Sequence, residues 1–133
     1  MDQIELVIED LPPAKSEGKS MLAAAHRHHS RVVALLQAAR DHMKSTGHKG
    51  FGKTPMTLDV TLTSPEPPAS DATNYLGGIT DVLEAKGQRG PLGHLGELAK
   101  VALYDDDRQF QDVHFRWQQG KPTGYRVRIR PRA

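Results

Sequence analysis

At 133 residues the chain has the size of one domain with one hydrophobic core, and its 37% apolar and 5% aromatic content points to a modest core carrying long polar loops. The absence of cysteine excludes disulfides and thiolate metal sites. The net charge of +2 is unevenly spread: residues 121–133 hold Lys121, Arg126, Arg128, Arg130 and Arg132 and no acid.

Residues 3–9 alternate as a strand, with Ile4, Leu6 and Ile8 on one face, and Leu11-Pro12-Pro13 stops it. A polar loop with Lys15 and Lys19 follows. The pattern from Ser20 to Met43 predicts a helix, with Val32, Leu35, Leu36, Ala39 and Met43 forming one apolar stripe, Ser20 as N-cap and Gly47 after the last turn. Arg27, Arg31, Arg40 and Lys44 mark the solvent face. His26 and His29 stand three apart and could share a metal, but no third helical ligand completes the set, since Asp41 lies about four turns away. The histidines are therefore expected to be exposed near the helix start.

Residues 46–55 form a glycine-rich basic loop. Gly47-His-Lys-Gly-Phe-Gly52-Lys53-Thr54 matches the spacing of a phosphate loop, yet a helix precedes it and Pro55 with a strand follows. A phosphate loop needs strand, loop and helix in that order, so a mobile basic loop able to touch phosphates is the expectation. Met56, Leu58, Val60 and Leu62 give the clearest strand, over 56–63. Pro65, Pro67 and Pro68 hold an extended loop to Asp71. Tyr75 to Lys86 reads as a helix with Leu76, Ile79, Val82 and Leu83 on one side, beginning near Asn74. Gly77-Gly78 weakens it by roughly 1 kcal/mol per glycine relative to alanine.

Gly87 to His94 is a loop, and Leu95 to Leu103 a short helix. Gln111 to Gln118 is a strand with Val113, Phe115 and Trp117 at period two. A turn over 119–124 then leads to Tyr125–Arg130 as its hairpin partner, where three arginines alternate with Tyr125, Val127 and Ile129. The fold class this implies is α+β: a single domain over 1–133, a small mixed sheet with helices packed on one face. No run approaches the roughly 18 apolar residues of a membrane helix, and Met1–Asp10 lacks the apolar stretch of a signal peptide. A soluble, cytoplasmic protein without a membrane partner is expected.

Asp71 before the second helix and Asp105-Asp106-Asp107 before the third strand carry the chemistry. Hard cations take oxygen ligands, and a metal held by carboxylates can polarise a phosphodiester and activate water. The same acids also suit plainer work, Asp71 as a helix cap and Asp105–Asp107 as a turn. The basic 121–133 segment suits a polyanion, because arginine on phosphate releases counterions, and equally suits a strand edge kept from aggregating by charge.

The arrangement resembles the RusA family of Holliday junction resolvases. It does so through Leu11-Pro12-Pro13 after the first strand, strand 56–63, Asp71-Ala-Thr73-Asn74-x-x-Gly77 with Asp81, then Asp106-Asp107-Arg-Gln109 and the last two strands. That resemblance implies a small homodimeric, Mg²⁺-dependent endonuclease acting on branched DNA. Asp71 and Asp107 would be catalytic, and Asp71, Asp106 and Asp107 would hold the metal. The basic residues Lys15, Lys19, Lys53, Arg126, Arg128 and Arg130 are read as nucleic-acid contacts. Thr73 stands where the family's second aspartate belongs and Gly77 where its lysine belongs, so weak or absent catalysis is implied, with Lys86, Arg89 or Lys53 as substitute cations. The alternative is a catalytically dead binding, regulatory or protein-interaction module keeping the fold.

Overall fold

The computed structural model describes residues 3–15, 20–86 and 92–132. Its sheet is built around β2 (Met56–Ser64), in which Met56, Leu58, Val60 and Leu62 are buried, as period-two patterning requires of a strand with one face on a core. With β1 (Ile4–Ile8), β3 (Phe110–Gln119) and β4 (Gly124–Pro131) it forms one sheet in the order β1-β4-β2-β3. β4 runs antiparallel to both β1 and β2, whereas β3 runs parallel to β2. The sheet is mixed and the domain is α+β.

β3 and β4 are not the hairpin that their sequence neighbourhood predicts, because β2 lies between them. The connecting loop steps over the end of β2: the Gly120 N–H donates to the Ser64 carbonyl at 3.1 Å, and the Gln119 side chain to the Pro65 carbonyl at 3.2 Å. Burial explains the order. β2 can fill a central position with ladder partners on both edges, while β3 has no fully buried residue and suits an edge.

The first helix, α1 (His29–Thr46), starts well after Ser20. Residues 20–28 instead make successive three-residue turns, with Ala23 bonded to Ser20, His26 to Ala23 and His29 to His26, and these turns bury Met21, Leu22 and His26. The predicted stripe holds: Val32, Leu35, Leu36 and Ala39 are buried, and Gly47 closes the helix in the left-handed region at φ 74°. The second helix, α2 (Ala72–Leu83), begins and ends about three residues earlier than its apolar pattern alone indicates. It buries Tyr75, Ile79, Val82 and Leu83, and Tyr75 stacks on Phe115 of β3.

Gly78 is there for space. A Cβ at this position would lie 2.1 Å from the Pro13 carbonyl oxygen, so the Pro12-Pro13 loop sits directly on α2. The Lys15 N–H donates to the Asn74 carbonyl at 3.0 Å, and the Ala14 N–H to His28 Nδ1 at 3.1 Å, so the loop is tied to both helices.

Strand alternation places Ile4, Leu6, Ile8, Val127, Ile129 and the β2 apolar residues on the inner face, where α1 packs on β1 and is itself flanked by two short 3₁₀ turns over Gly93–Lys100 that break at Gly96. The outer face carries Glu5, Asp59, Thr61, His114, Arg116, Arg126, Arg128 and Arg130. Among the described residues, no helix is long and apolar enough to cross a membrane.

Candidate metal and nucleic-acid site

The ends of α2 do different things. At its N-terminus Asp71 is the cap: its carboxylate accepts from the Asn74 N–H at 2.8 Å and from the Thr73 hydroxyl at 2.9 Å, satisfying donors the first turn leaves open. Lys15 crosses the same end of the helix, its Cδ 3.3 Å from where a Cβ on Gly77 would be. The lysine stem thus occupies the space that a side chain at Gly77 would fill.

At the C-terminus, Glu84 leaves the helix in extended conformation and bridges to Tyr104, with the Leu103 N–H donating to the Leu83 carbonyl and the Ala85 N–H to the Tyr104 carbonyl, each at 2.9 Å. This short parallel pairing carries the chain straight into the acidic turn. Asp106 caps a single 3₁₀ turn, Asp107–Gln109, in a reciprocal box in which Gln109 Oε1 accepts from the Asp106 N–H at 2.8 Å. The Asp107 N–H donates to a Glu84 carboxylate oxygen at 2.8 Å. As a result Glu84, Asp106 and Asp107 each present a ligand oxygen, all within 4.8 Å of one another.

Arg108 modifies this site. Its guanidinium forks onto Asp106 at 2.7 and 3.0 Å, and these bonds, with the Arg108 N–H, hold the Asp106 carboxyl down to about 2. Asp106 is therefore ionised at any ordinary pH, but part of its charge is already compensated. The carboxyl-only donor set fits a hard cation such as Mg²⁺, which binds through one or two carboxylates and keeps several waters.

The glycine-rich loop is anchored to this turn. Gln109 Nε2 donates to the carbonyls of Gly52 and Thr54 at 2.9 Å each, the Asp105 N–H to Gly52, and the Phe51 N–H to Leu103. Phe51 is buried, so the loop is fixed where a mobile one was expected. Lys53 lies between the two carbonyls that Gln109 holds, which places its backbone beside the acidic turn.

The metal set Asp71, Asp106 and Asp107 is therefore only partly brought together. Asp71 and Glu84 stand at opposite ends of a 12-residue helix, a rise of about 18 Å, and Glu84 takes the third place. No local signal marks Glu84, since it is one more acid after a helix until the bridge to Tyr104 turns it toward Asp107. Among the cations, Lys86 is buried and donates to the carbonyls of Val82, Glu84 and Val101, so its ammonium fastens the C-terminus of α2. Lys19 and Arg89 lie outside the described residues.

The histidines are not exposed at a helix start as expected. His26 is buried, its Nδ1 accepting from the His28 N–H at 3.0 Å, and His94 joins the group through Leu22 and a ring contact with His29. They form no convergent triplet of ligand atoms among the described residues.

The arginines of β4 and Arg132 just after it are all paired across the strands. Arg126 and Arg128 share Glu5 at 3.3 and 3.2 Å, Arg130 meets Asp59 at 2.6 Å, and Arg132 meets Asp112 at 2.8 Å. No protein-family model matches the chain, and no curated protein matches it in sequence.

Proposed function

We propose that this chain is a RusA-like DNA-binding protein that engages branched DNA as a homodimer and hydrolyses phosphodiester bonds slowly, with a divalent cation at Glu84, Asp106 and Asp107. The observation that supports the reading is the convergence of these three carboxylates beside a basic loop anchored by Gln109. A bound Mg²⁺ would supply polarisation of a phosphate oxygen and a more acidic water. The chain's own part is positioning. Gln109 fixes the loop that carries Lys53, the Glu84–Tyr104 bridge aims Glu84 at the turn, and the arginines of β4 offer further phosphate contacts on the sheet. Hydrolysis is slow in this reading because Arg108 draws charge from Asp106, which weakens the hold on the cation.

A purely binding module is the second reading, and the Arg108 fork on Asp106 favours it. A four-way junction nicking assay with Mg²⁺ or Mn²⁺ decides, using wild type, Glu84→Gln and Asp107→Asn. Nicking that disappears in both variants supports the metal site. Junction binding with no nicking at any metal concentration leaves the binding module, and no junction binding at low salt removes both readings.

A further inference from the structure

The outer face of the sheet is uncovered by any described helix, and its charge is lopsided. β4 contributes Arg126, Arg128 and Arg130, and register places Arg116 of β3 on the same face, level with Thr61 and Arg126. Against these four stand Glu5 and Asp59, leaving an excess of two positive charges. Arg132 and Asp112 at the margin cancel each other. The twist of the sheet makes this face a shallow trough of about 750 Å³, with Asp59, Thr61 and His114 on its floor between the arginines.

Arg116 differs from its neighbours. It is exposed and has no carboxylate within ion-pair distance among the described residues, whereas each β4 arginine already has one. A second copy of this face would meet it with like charge, so self-association through it is disfavoured. The face also carries no Phe, Tyr or Trp: Phe115, Trp117 and Tyr125 all point to the inner side, paired in register with Val60 and Leu62. A single-strand platform uses aromatic rings to stack bases. A surface of arginines and hydroxyls whose one ring is the His114 imidazole, set among the arginines, instead suits the phosphates of a duplex, whose bases stay stacked.

We infer that this open sheet face is a docking surface for the phosphate backbone of duplex DNA, with Arg116 as its principal free anchor. The inference rests on the DNA-binding reading above and adds the surface, the residue and the strandedness. Arg126 is exposed and Arg128 and Arg130 are half-buried, so all three pairs to Glu5 and Asp59 stay open to water, and an arriving phosphate offers these arginines a second anionic partner. Recognition is independent of base sequence, and each arginine on a phosphate adds about 0.9 to the slope of log affinity against log salt.

The test is fluorescence anisotropy of the full chain with a labelled duplex and a labelled single strand of equal length. It is done in EDTA so that the acidic site takes no part, from 50 to 200 mM salt. Arg116→Ala is expected to lower the duplex salt slope by about 0.9, and Arg116→Glu to weaken duplex binding roughly tenfold at 50 mM salt. Lys44→Glu, the same charge change on α1 behind the sheet, serves as control, with far-UV circular dichroism checking that all variants fold. Wild-type duplex binding that Arg116→Glu leaves within twofold of Lys44→Glu overturns this surface and leaves the DNA-binding reading standing. Loss confined to the single strand overturns the duplex assignment. Failure of the wild type to bind the duplex overturns this inference, and the DNA-binding reading then stands or falls on the junction assay alone.

Discussion

Substituting the two adjacent glycines of α2 by alanine should move stability in opposite directions. In an isolated helix each replacement would gain about 1 kcal/mol from backbone entropy and propensity. At Gly77 the new methyl meets only the Cδ and Cβ of Lys15, at 3.3 and 3.7 Å, and a flexible stem can yield by a few tenths of an ångström. Gly77→Ala therefore keeps most of the gain, roughly 0.5–1 kcal/mol. At Gly78 the methyl falls 2.1 Å from the Pro13 carbonyl oxygen and 2.7 Å from its carbon, and this is backbone that cannot rotate away. The loop must lift off the helix. That strains the Lys15–Asn74 and Ala14–His28 hydrogen bonds, each a net contribution of about 1 kcal/mol, on top of an overpacking cost of about 1–3 kcal/mol. After the propensity gain, Gly78→Ala should be destabilised by about 2 kcal/mol, or a fall in Tm of roughly 6–10 °C for a domain of this size. Urea unfolding followed by far-UV circular dichroism, with thermal melts beside it, measures both variants against wild type. A Gly78→Ala protein as stable as Gly77→Ala would refute the close approach of the Pro12-Pro13 loop to α2.

Asp71→Ala should cost about 1 kcal/mol through loss of the cap, while divalent-cation affinity measured by isothermal titration stays unchanged; a marked loss of affinity would place Asp71 at the metal after all. Burial, with Arg31, Arg27 and His26 nearby, lowers the pKa of His28 below its ordinary 6.5, so the folded state prefers the neutral ring whose Nδ1 accepts from Ala14. His28's contribution is then full above pH 6.5 and declines as pH falls through that value toward the lower folded-state pKa. Unfolding free energies at pH 7.5 and 5.5 should show a larger acid loss in wild type than in His28→Gln, and an equal loss in the two would contradict the assignment.

Composition and periodicity were sufficient for the α+β class, for the apolar faces of β1, β2 and α1, and for the positions of the acids, because burial of one face imposes a repeat of two or 3.6 on the residues themselves. The cap at Asp71 was also legible, since its donors lie two and three residues along the chain. What local pattern could not decide was everything set by contacts distant in sequence. The insertion of β2 between β3 and β4 depends on which strand can tolerate two covered edges, a comparison across the whole sheet. The late start of α1 depends on Met21, Leu22 and His26 finding burial in turns rather than in a helical stripe. Gly78 reads as a weak point in a helix until Pro13 is seen against it. Glu84 becomes a partner of Asp106 and Asp107 only through its bridge to Tyr104, and Arg116 joins the β4 arginines only through the parallel register of β2 and β3. Side-chain chemistry is written residue by residue, but a site is a set of distances, and those distances come from the packing of segments that the chain keeps far apart.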